Sequence, residues 1–103
     1  MKILVLDTET LGVADPRVYN LGWLVYDTAD GKVISARDYL IKELYDNREL
    51  MNSAYYANKI PLYEDMLADG KCRRIKWSYA LRQLARALKD ADGIYAFNSR
   101  FDT

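Results

Sequence analysis

Two carboxylates follow the first apolar segment of the chain and are its best candidates for chemistry. Ile3–Leu6 is aliphatic, and Asp7 and Glu9 come directly after it. A continuous apolar run of this kind favours a strand covered on both faces. Residues two apart in a strand project to the same side, so these acids repel each other unless a cation lies between them. Because hard oxygen ligands suit Mg²⁺ or Mn²⁺, we expect either a divalent metal site at the strand end or a pair of solvated acids.

A second apolar segment near the other end of the chain also leads into an acid. Ile94–Phe97 is followed by Asn98, Phe101 and Asp102. A predicted helix precedes this segment, with apolar residues at helical spacing from Trp77 to Leu88. A helix between two strands makes a crossover, which sets the strands parallel. Since parallel strands bring their carboxyl ends to one side of a sheet, we expect Asp7, Glu9 and Asp102 to converge.

Between these segments the pattern predicts a β-hairpin. Tyr19 to Tyr26 and Val33 to Ile41 are strand-forming, and Asp30-Gly31 is a hairpin-turn dipeptide. The two strands are expected to extend the sheet antiparallel to the first strand, and Gly22 inside one of them indicates close approach of a neighbouring backbone. Three hairpin aromatics are interpreted as packing residues rather than base-stacking ones, namely Trp23, Tyr26 and Tyr39.

A helical region is predicted after the hairpin. Asp46, with Glu49 three residues later, resembles a capping box. Pro61 is expected to interrupt this helix, and Gly70 to end a second, shorter one.

The segment Lys71–Trp77 concentrates four positive charges beside an indole. Such a run can contact phosphates and stack on a base. The favoured interpretation is a solvated loop, with Trp77 as the first core residue of the next helix and Ser78 as its cap.

The bulk composition is that of one small domain. The chain has 103 residues, 50% of them hydrophobic, and a formal net charge of zero. No overall basic field attracts nucleic acid, so any such role must be local. The single Cys72 is expected to be an exposed, unreactive thiol in a reducing compartment. We see neither a signal peptide nor a membrane-spanning stretch and expect a soluble, cytoplasmic protein without a membrane partner.

The two acid-bearing segments together resemble the first two motifs of the DEDD superfamily of 3′-5′ exonucleases, the DnaQ-like type. The first motif, Asp-x-Glu-Thr after a strand, matches Asp7, Glu9 and Thr10, and the second, Asn-x-x-Phe-Asp, matches Asn98, Phe101 and Asp102. The resemblance implies an α/β, ribonuclease H-like mixed sheet with an antiparallel hairpin, a parallel crossover strand and helices. It further implies two-metal-ion hydrolysis of phosphodiester bonds at the 3′ end of single-stranded DNA, with RNA as an alternative substrate.

The resemblance also implies roles for individual residues. Asp7 would contact both Mg²⁺ or Mn²⁺ ions, Glu9 one of them, and Asp102 the other, directly or through water. The residues after the motif glutamate hold the terminal nucleotide, which assigns substrate binding to Thr10 and Leu11, although a loop leucine packed on the core is an equal alternative for Leu11. The remaining two motif residues, Asn98 and Phe101, would support the site and the substrate.

The third motif of that family, with its His or Tyr general base and fourth acid, has no counterpart in the sequence. There is no histidine, and no tyrosine follows Asp102. We therefore expect residues 1–103 to be the N-terminal portion of one exonuclease domain, ending before the last strand and helix. Such a portion should be inactive alone, and should self-associate or pair with a missing C-terminal half. Two alternatives remain: a non-catalytic interaction fragment of the same fold, and a phosphatase of the haloacid dehalogenase type, from whose Asp-x-Asp-x-Thr motif Glu9 departs.

Overall fold

A computed structural model describes residues 1–12, 14–54 and 57–96 of the chain. The strands are β1 (Lys2–Thr10), β2 (Val18–Asp27), β3 (Lys32–Ile41), β4 (Arg73–Ile75) and β5 (Gly93–Ala96). The helices are α1 (Lys42–Tyr45), α2 (Arg48–Asn52), α3 (Ile60–Ala68) and α4 (Trp77–Asp90), and a 3₁₀ turn spans Ala57–Lys59. The chain is thus an α/β protein, as the sequence predicted.

The five strands form one mixed sheet in the order β4-β3-β2-β1-β5. β1 pairs with β2 and β2 with β3 in antiparallel fashion, whereas β5 lies parallel to β1 and β4 parallel to β3. The hairpin and the parallel crossover strand are therefore confirmed. The short strand β4 was not predicted, because its three residues carry too weak a pattern to distinguish it from a loop.

The hairpin turn lies where the sequence placed it. β2 ends at Asp27, and Gly31 has a φ of +66°. That left-handed conformation favours glycine, since other residues meet a steric penalty there. The backbone N–H of Gly31 donates to the carbonyl of Asp27 at 2.8 Å and closes the turn.

Each face of the sheet contributes to a separate apolar cluster. The first contains Leu4, Trp23 and Tyr39 and packs on α4 through Ala80 and Leu84. The second packs against the short helices α1 to α3; its buried members are Leu11, Tyr19, Leu40, Tyr45, Met51, Ala54, Tyr63 and Cys72. Trp23 and Tyr39 are buried, which confirms the packing interpretation for these two aromatics. It is wrong for Tyr26, which is 36% exposed and belongs to neither cluster.

The first helical region begins differently from the prediction. The cap of α2 is Asn47, whose side-chain oxygen accepts the N–H of Leu50 at 3.1 Å. Asp46 instead follows α1 and forms an ion pair with Arg74, 3.3 Å between Nε and Oδ1. The capping-box prediction on Asp46 was wrong because the register of the helix start is one residue later.

The next helix confirms the predicted stop but changes the role of the proline. Pro61 lies in the first turn of α3, where its missing N–H costs nothing. Gly70 follows α3 with a φ of +74° and ends it, as predicted.

The long helix α4 starts at Trp77, but neither of its two predicted start residues behaves as expected. Trp77 is 36% exposed rather than buried in the core. The residue before it, Lys76, makes no side-chain cap, and Ser78 is not the cap. The backbone N–H of Trp77 donates instead to the carboxylate of Glu43, at 3.0 and 3.2 Å. A partner distant in sequence has replaced the local cap.

The cysteine is buried rather than exposed. Cys72 keeps 4% of its surface accessible and belongs to the second apolar cluster. Burial, with smaller effects from Asp38 and Glu64, raises the pKa of the Cys72 thiol to about 11. The prediction of a surface thiol was wrong, since the side chain of Cys72 lies inside the sheet edge while its neighbours Lys71 and Arg73 face outward.

Within the described ranges, no helix combines the length and the apolar character needed to cross a bilayer.

Candidate functional site

The two motif carboxylates lie within β1 rather than beyond its end. Asp7 pairs with Gly22 and Glu9 with Asn20 across the antiparallel ladder, which continues to Thr10. The prediction that the acids follow the strand was wrong, because the pairing of β1 with β2 continues beyond both acids to Thr10. Both acids occupy alternate positions of one strand, so they share a sheet face, as predicted.

The environments of the two acids differ. Asp7 is exposed, whereas the side chain of Glu9 retains 15% exposure. Lys59 Nζ lies 3.9 Å from Glu9 Oε1. A cation therefore already approaches the less accessible carboxylate, which an ion pair stabilises only modestly at a partly exposed position.

A third carboxylate shares this face although no motif contains it. Gly22 pairs with Asp7 on one side and with Asp38 of β3 on the other. The Asp38 carboxylate leans over Gly22, its Oδ1 lying 3.7 Å from the position that a Cβ there would occupy. A Cβ there would also lie 3.6 Å from the Arg37 carbonyl oxygen, and both are ordinary contact distances. The glycine therefore places no side chain between the two acids, but the backbone approach expected at Gly22 is not so close as to require it.

Asn20 connects Asp38 to the motif strand. Its Nδ2 donates to Asp38 Oδ1 at 2.7 Å and to the Tyr39 carbonyl at 3.0 Å. Residues directly opposite each other in an antiparallel pair share a face, with their Cβ atoms about 4.5–5.5 Å apart. Asn20 therefore lies beside Glu9 while its two donors are held by β3.

The negative charges of this face contribute to the raised pKa values of two neighbouring groups. Burial raises the pKa of Asp38, the Asn20 hydrogen bond opposes that rise, and the charge of Asp7 adds to it. Burial also raises the pKa of Tyr63, together with its hydrogen bond to Tyr19 and the charges of Glu9 and Asp38. The hydroxyls of Tyr63 and Tyr19 are 3.2 Å apart. Tyr63 therefore stays a neutral phenol near the acids.

The described residues do not by themselves complete a metal centre. Among them, no three Asp, Glu or Cys side chains are grouped closely enough to hold an ion. The second motif cannot be placed, because Asn98, Phe101 and Asp102 lie outside the described residues. What the structure does show is the direction of the chain: β5 runs parallel to β1, and Ala96 pairs with Leu6, next to Asp7.

The two predicted substrate residues are both largely inaccessible. Thr10 is 6% exposed and Leu11 is 5% exposed, and Leu11 belongs to the second apolar cluster. The core-packing alternative for Leu11 is confirmed. A contact between Thr10 and a terminal nucleotide stays a prediction.

The basic segment borders the same part of the sheet. A cleft of about 290 Å³ is lined by residues of β3 and of the segment before β4, including Asp38, Lys71 and Arg73. Arg74 is engaged with Asp46, whereas Lys71 and Arg73 are exposed. Trp77 lies elsewhere, in an apolar cleft of about 410 Å³ with Arg17 and Glu43 at its lining. The cations Lys71 and Arg73 and the indole of Trp77 therefore lie at different clefts and do not form one binding surface.

Sequence analysis missed Asp38 and Asn20 as members of this face. The Asp30-Gly31 turn alone would not have found them, because the register of the hairpin shifts by one residue between Val25 and Tyr26, and only beyond that shift does Asp38 lie opposite Gly22.

Comparisons with protein-family models, with curated proteins and with solved structures find no match to this chain.

Proposed function

We propose that this chain is part of a metal-dependent 3′-5′ exonuclease of the ribonuclease H-like fold, hydrolysing phosphodiester bonds at the 3′ end of single-stranded DNA. One observation carries the proposal: Asp7 and Glu9 share a face of β1, while β5 runs parallel to β1 and ends beside Leu6. The last described residue of β5, Ala96, therefore lies next to the residue that precedes Asp7. A convergence of Asp102 with Asp7 and Glu9 requires β5 to end at this place.

The order of the strands supports the proposed fold. An antiparallel hairpin flanks β1 on one side and a parallel crossover strand flanks it on the other. The helix α4, which precedes β5, packs on the first apolar cluster. This arrangement agrees with the mixed sheet implied by the motif resemblance.

The donor chemistry of the site fits Mg²⁺ or Mn²⁺. Carboxylates on one face supply the hard oxygens that these ions prefer, and water completes their shells. In the proposed site Asp7, Glu9 and Asp102 would hold the ions through their carboxylates. When bound, the two ions would activate a water and stabilise the leaving 3′-oxygen. Glu9 must release Lys59 to take up this role.

The charge distribution supports a single-stranded nucleic acid as substrate. The chain as a whole is neutral, so attraction of phosphates depends on local cations. Lys71 and Arg73 are exposed at the sheet edge and line the cleft beside Asp38. Phosphate contacts at that edge would hold the single-stranded nucleic acid while its 3′ end passes over Gly22 and reaches Asp7.

The test compares two polypeptides on single strands labelled at the 3′ end, in Mn²⁺. The polypeptide of residues 1–103 has no histidine and no tyrosine after Asp102. Loss of a general base typically costs about 10²- to 10⁴-fold in rate. We therefore expect it to be slower by about that factor than a longer polypeptide that adds the third motif of the family.

In the longer polypeptide Asp7→Ala should abolish nucleotide release. Asp65→Ala, a change at an exposed acid of α3, should leave it unchanged. Parallel DNA and RNA strands identify the preferred substrate. Equal rates for the longer polypeptide and its Asp7→Ala variant would refute the proposal.

A further inference from the structure

Asn20 has a fixed orientation that leaves one polar atom unused. Both hydrogens of its amide are directed at β3, toward Asp38 Oδ1 at 2.7 Å and the Tyr39 carbonyl at 3.0 Å. Both partners are acceptors, so a rotated amide would set its oxygen against two other oxygens. The identity of the nitrogen and oxygen branches is therefore determined by the hydrogen bonds. Within the described part of the chain, no donor is bonded to the Asn20 side-chain oxygen.

The position of that oxygen matters because of the residue across the ladder. The two branches of an amide diverge from Cγ, so a nitrogen bound to β3 leaves the oxygen turned away from β3. Asn20 pairs with Glu9 on the other side of β2, in the strand that carries both motif acids. A neutral amide oxygen is among the ligands that hard divalent cations accept beside carboxylates. It adds no negative charge to a face that already holds three acids.

We infer that Asn20 supplies an additional oxygen to the divalent-cation site at Asp7 and Glu9, and that Asp38 is a positioning residue which holds Asn20 in the required orientation. This inference rests on the proposed metal site and extends it to two residues that the motifs do not contain.

Substitutions can separate the role of Asn20, which supplies the oxygen, from that of Asp38, which orients Asn20. Asn20→Ala removes the oxygen itself. Asp38→Ala removes an acceptor that orients Asn20, whereas Asp38→Asn removes the charge but keeps a side-chain oxygen able to accept from Asn20. Since both Asp38 variants lose the same charge, a difference between them reports the hydrogen bond rather than the electrostatic attraction for the cation.

The experiment titrates Mn²⁺ alone into the polypeptide of residues 1–103 and follows the free ion by electron paramagnetic resonance. Replacing groups that support a metal site typically costs about 10- to 100-fold in affinity. We expect Asn20→Ala and Asp38→Ala to lower the Mn²⁺ affinity by about tenfold or more, and Asp38→Asn to lie clearly closer to the unsubstituted chain. Asn52→Ala, at an exposed asparagine of α2, is the matched control and should bind normally. The double variant Asn20→Ala/Asp38→Ala should bind Mn²⁺ more weakly than Asn20→Ala only by the factor that Asp38→Asn shows on its own.

Two outcomes distinguish this inference from the proposed function. If Asp7→Asn abolishes Mn²⁺ binding but Asn20→Ala binds within twofold of the unsubstituted chain, the oxygen assignment is wrong while the metal site stands. If the unsubstituted chain binds no Mn²⁺, the oxygen assignment fails, whereas the proposed function is decided by nucleotide release from the longer polypeptide. Should Asn20→Ala not fold, as judged by circular dichroism, the Asp38 pair decides alone: equal affinities for Asp38→Ala and Asp38→Asn would overturn the positioning role.

Discussion

Glu43 at the start of α1 caps the start of α4 by accepting the Trp77 backbone N–H with both carboxylate oxygens, at 3.0 and 3.2 Å. The first N–H groups of a helix have no partner within it, and an acid there also interacts favourably with the helix dipole. This contact ties the crossover helix to the end of β3. It therefore helps to set the position of α4 and of β5, the strand that follows it beside β1.

Replacing Glu43 should destabilise the fold through this contact. We expect Glu43→Ala to lower the free energy of unfolding by about 0.5–2 kcal/mol, the usual cost of a lost N-terminal cap. Glu43→Gln keeps one acceptor oxygen and should lose less. Urea unfolding followed by tryptophan fluorescence measures both. An unchanged midpoint in Glu43→Ala would contradict the capping role.

The start of α2 offers a comparison between adjacent residues. Asn47→Ala removes the acceptor of the Leu50 N–H and should cost about 0.5–2 kcal/mol. Asp46→Ala removes only an exposed ion pair with Arg74, which is worth about 0–1 kcal/mol. Equilibrium unfolding should therefore show Asn47→Ala to be the more destabilising change. The reverse order would indicate that Asp46, and not Asn47, caps α2.

Lys59 competes with any cation at Glu9. Its ammonium lies 3.9 Å from Glu9 Oε1, and the Lys59 side chain is 40% exposed. A pair of this kind contributes about 0.2–1 kcal/mol, so Lys59→Met should raise Mn²⁺ affinity by roughly 1.5- to 5-fold. Lys89→Met, at an exposed lysine on α4, serves as the control. A fall in affinity for Lys59→Met would mean that Lys59 assists cation binding rather than opposing it.

Burial of Cys72 predicts slow thiol chemistry and a loss of stability in alkali. The pKa of the thiol is raised from 9.0 to about 11, so the folded chain disfavours the reactive thiolate. Iodoacetamide at pH 8 should modify the native chain far more slowly than the chain in urea. Equal rates would show that the thiol is accessible.

The sign of the alkaline effect follows from the raised pKa. Above pH 9 the unfolded thiol ionises while the folded one does not, so the free energy of unfolding falls between about pH 9 and 11, by up to roughly 2–3 kcal/mol. Tyr45 and Tyr63 also have raised pKa values and add to the loss. Cys72→Ala should remove only the thiol contribution, so its stability should decline less over this interval. A decline parallel to that of the unsubstituted chain would contradict the assignment.

The last described strand predicts self-association of the polypeptide. Ile94 and Tyr95 are 56% and 61% exposed on β5, which is an edge strand of the described sheet. Exposed apolar edge strands tend to pair with other chains, and a lysine there discourages pairing. Sedimentation should show concentration-dependent association that Tyr95→Lys reduces. Leu62→Lys, at a residue 54% exposed on α3, should not. A monomer at all concentrations would contradict this expectation.

The local elements of the fold followed from the sequence because their determinants are short-range. The aliphatic run before Asp7, the Asp30-Gly31 turn and the apolar spacing along α4 each specify an element through backbone preference or period. The crossover between β1 and β5 followed as well, since a helix between two strands sets them parallel. The shared face of Asp7 and Glu9 needed only the alternation of a strand.

Contacts between distant segments were decided by the tertiary structure. The cap on α4 comes from Glu43, and the burial of Cys72 depends on α3 and the edge of the sheet. No local sequence pattern predicts either contact. Asp38 and Asn20 join the motif acids only through the pairing of three strands, which includes a register shift between Val25 and Tyr26. Sequence spacing determines which way a side chain points along its own strand, but which side chains meet is determined by register and packing across strands.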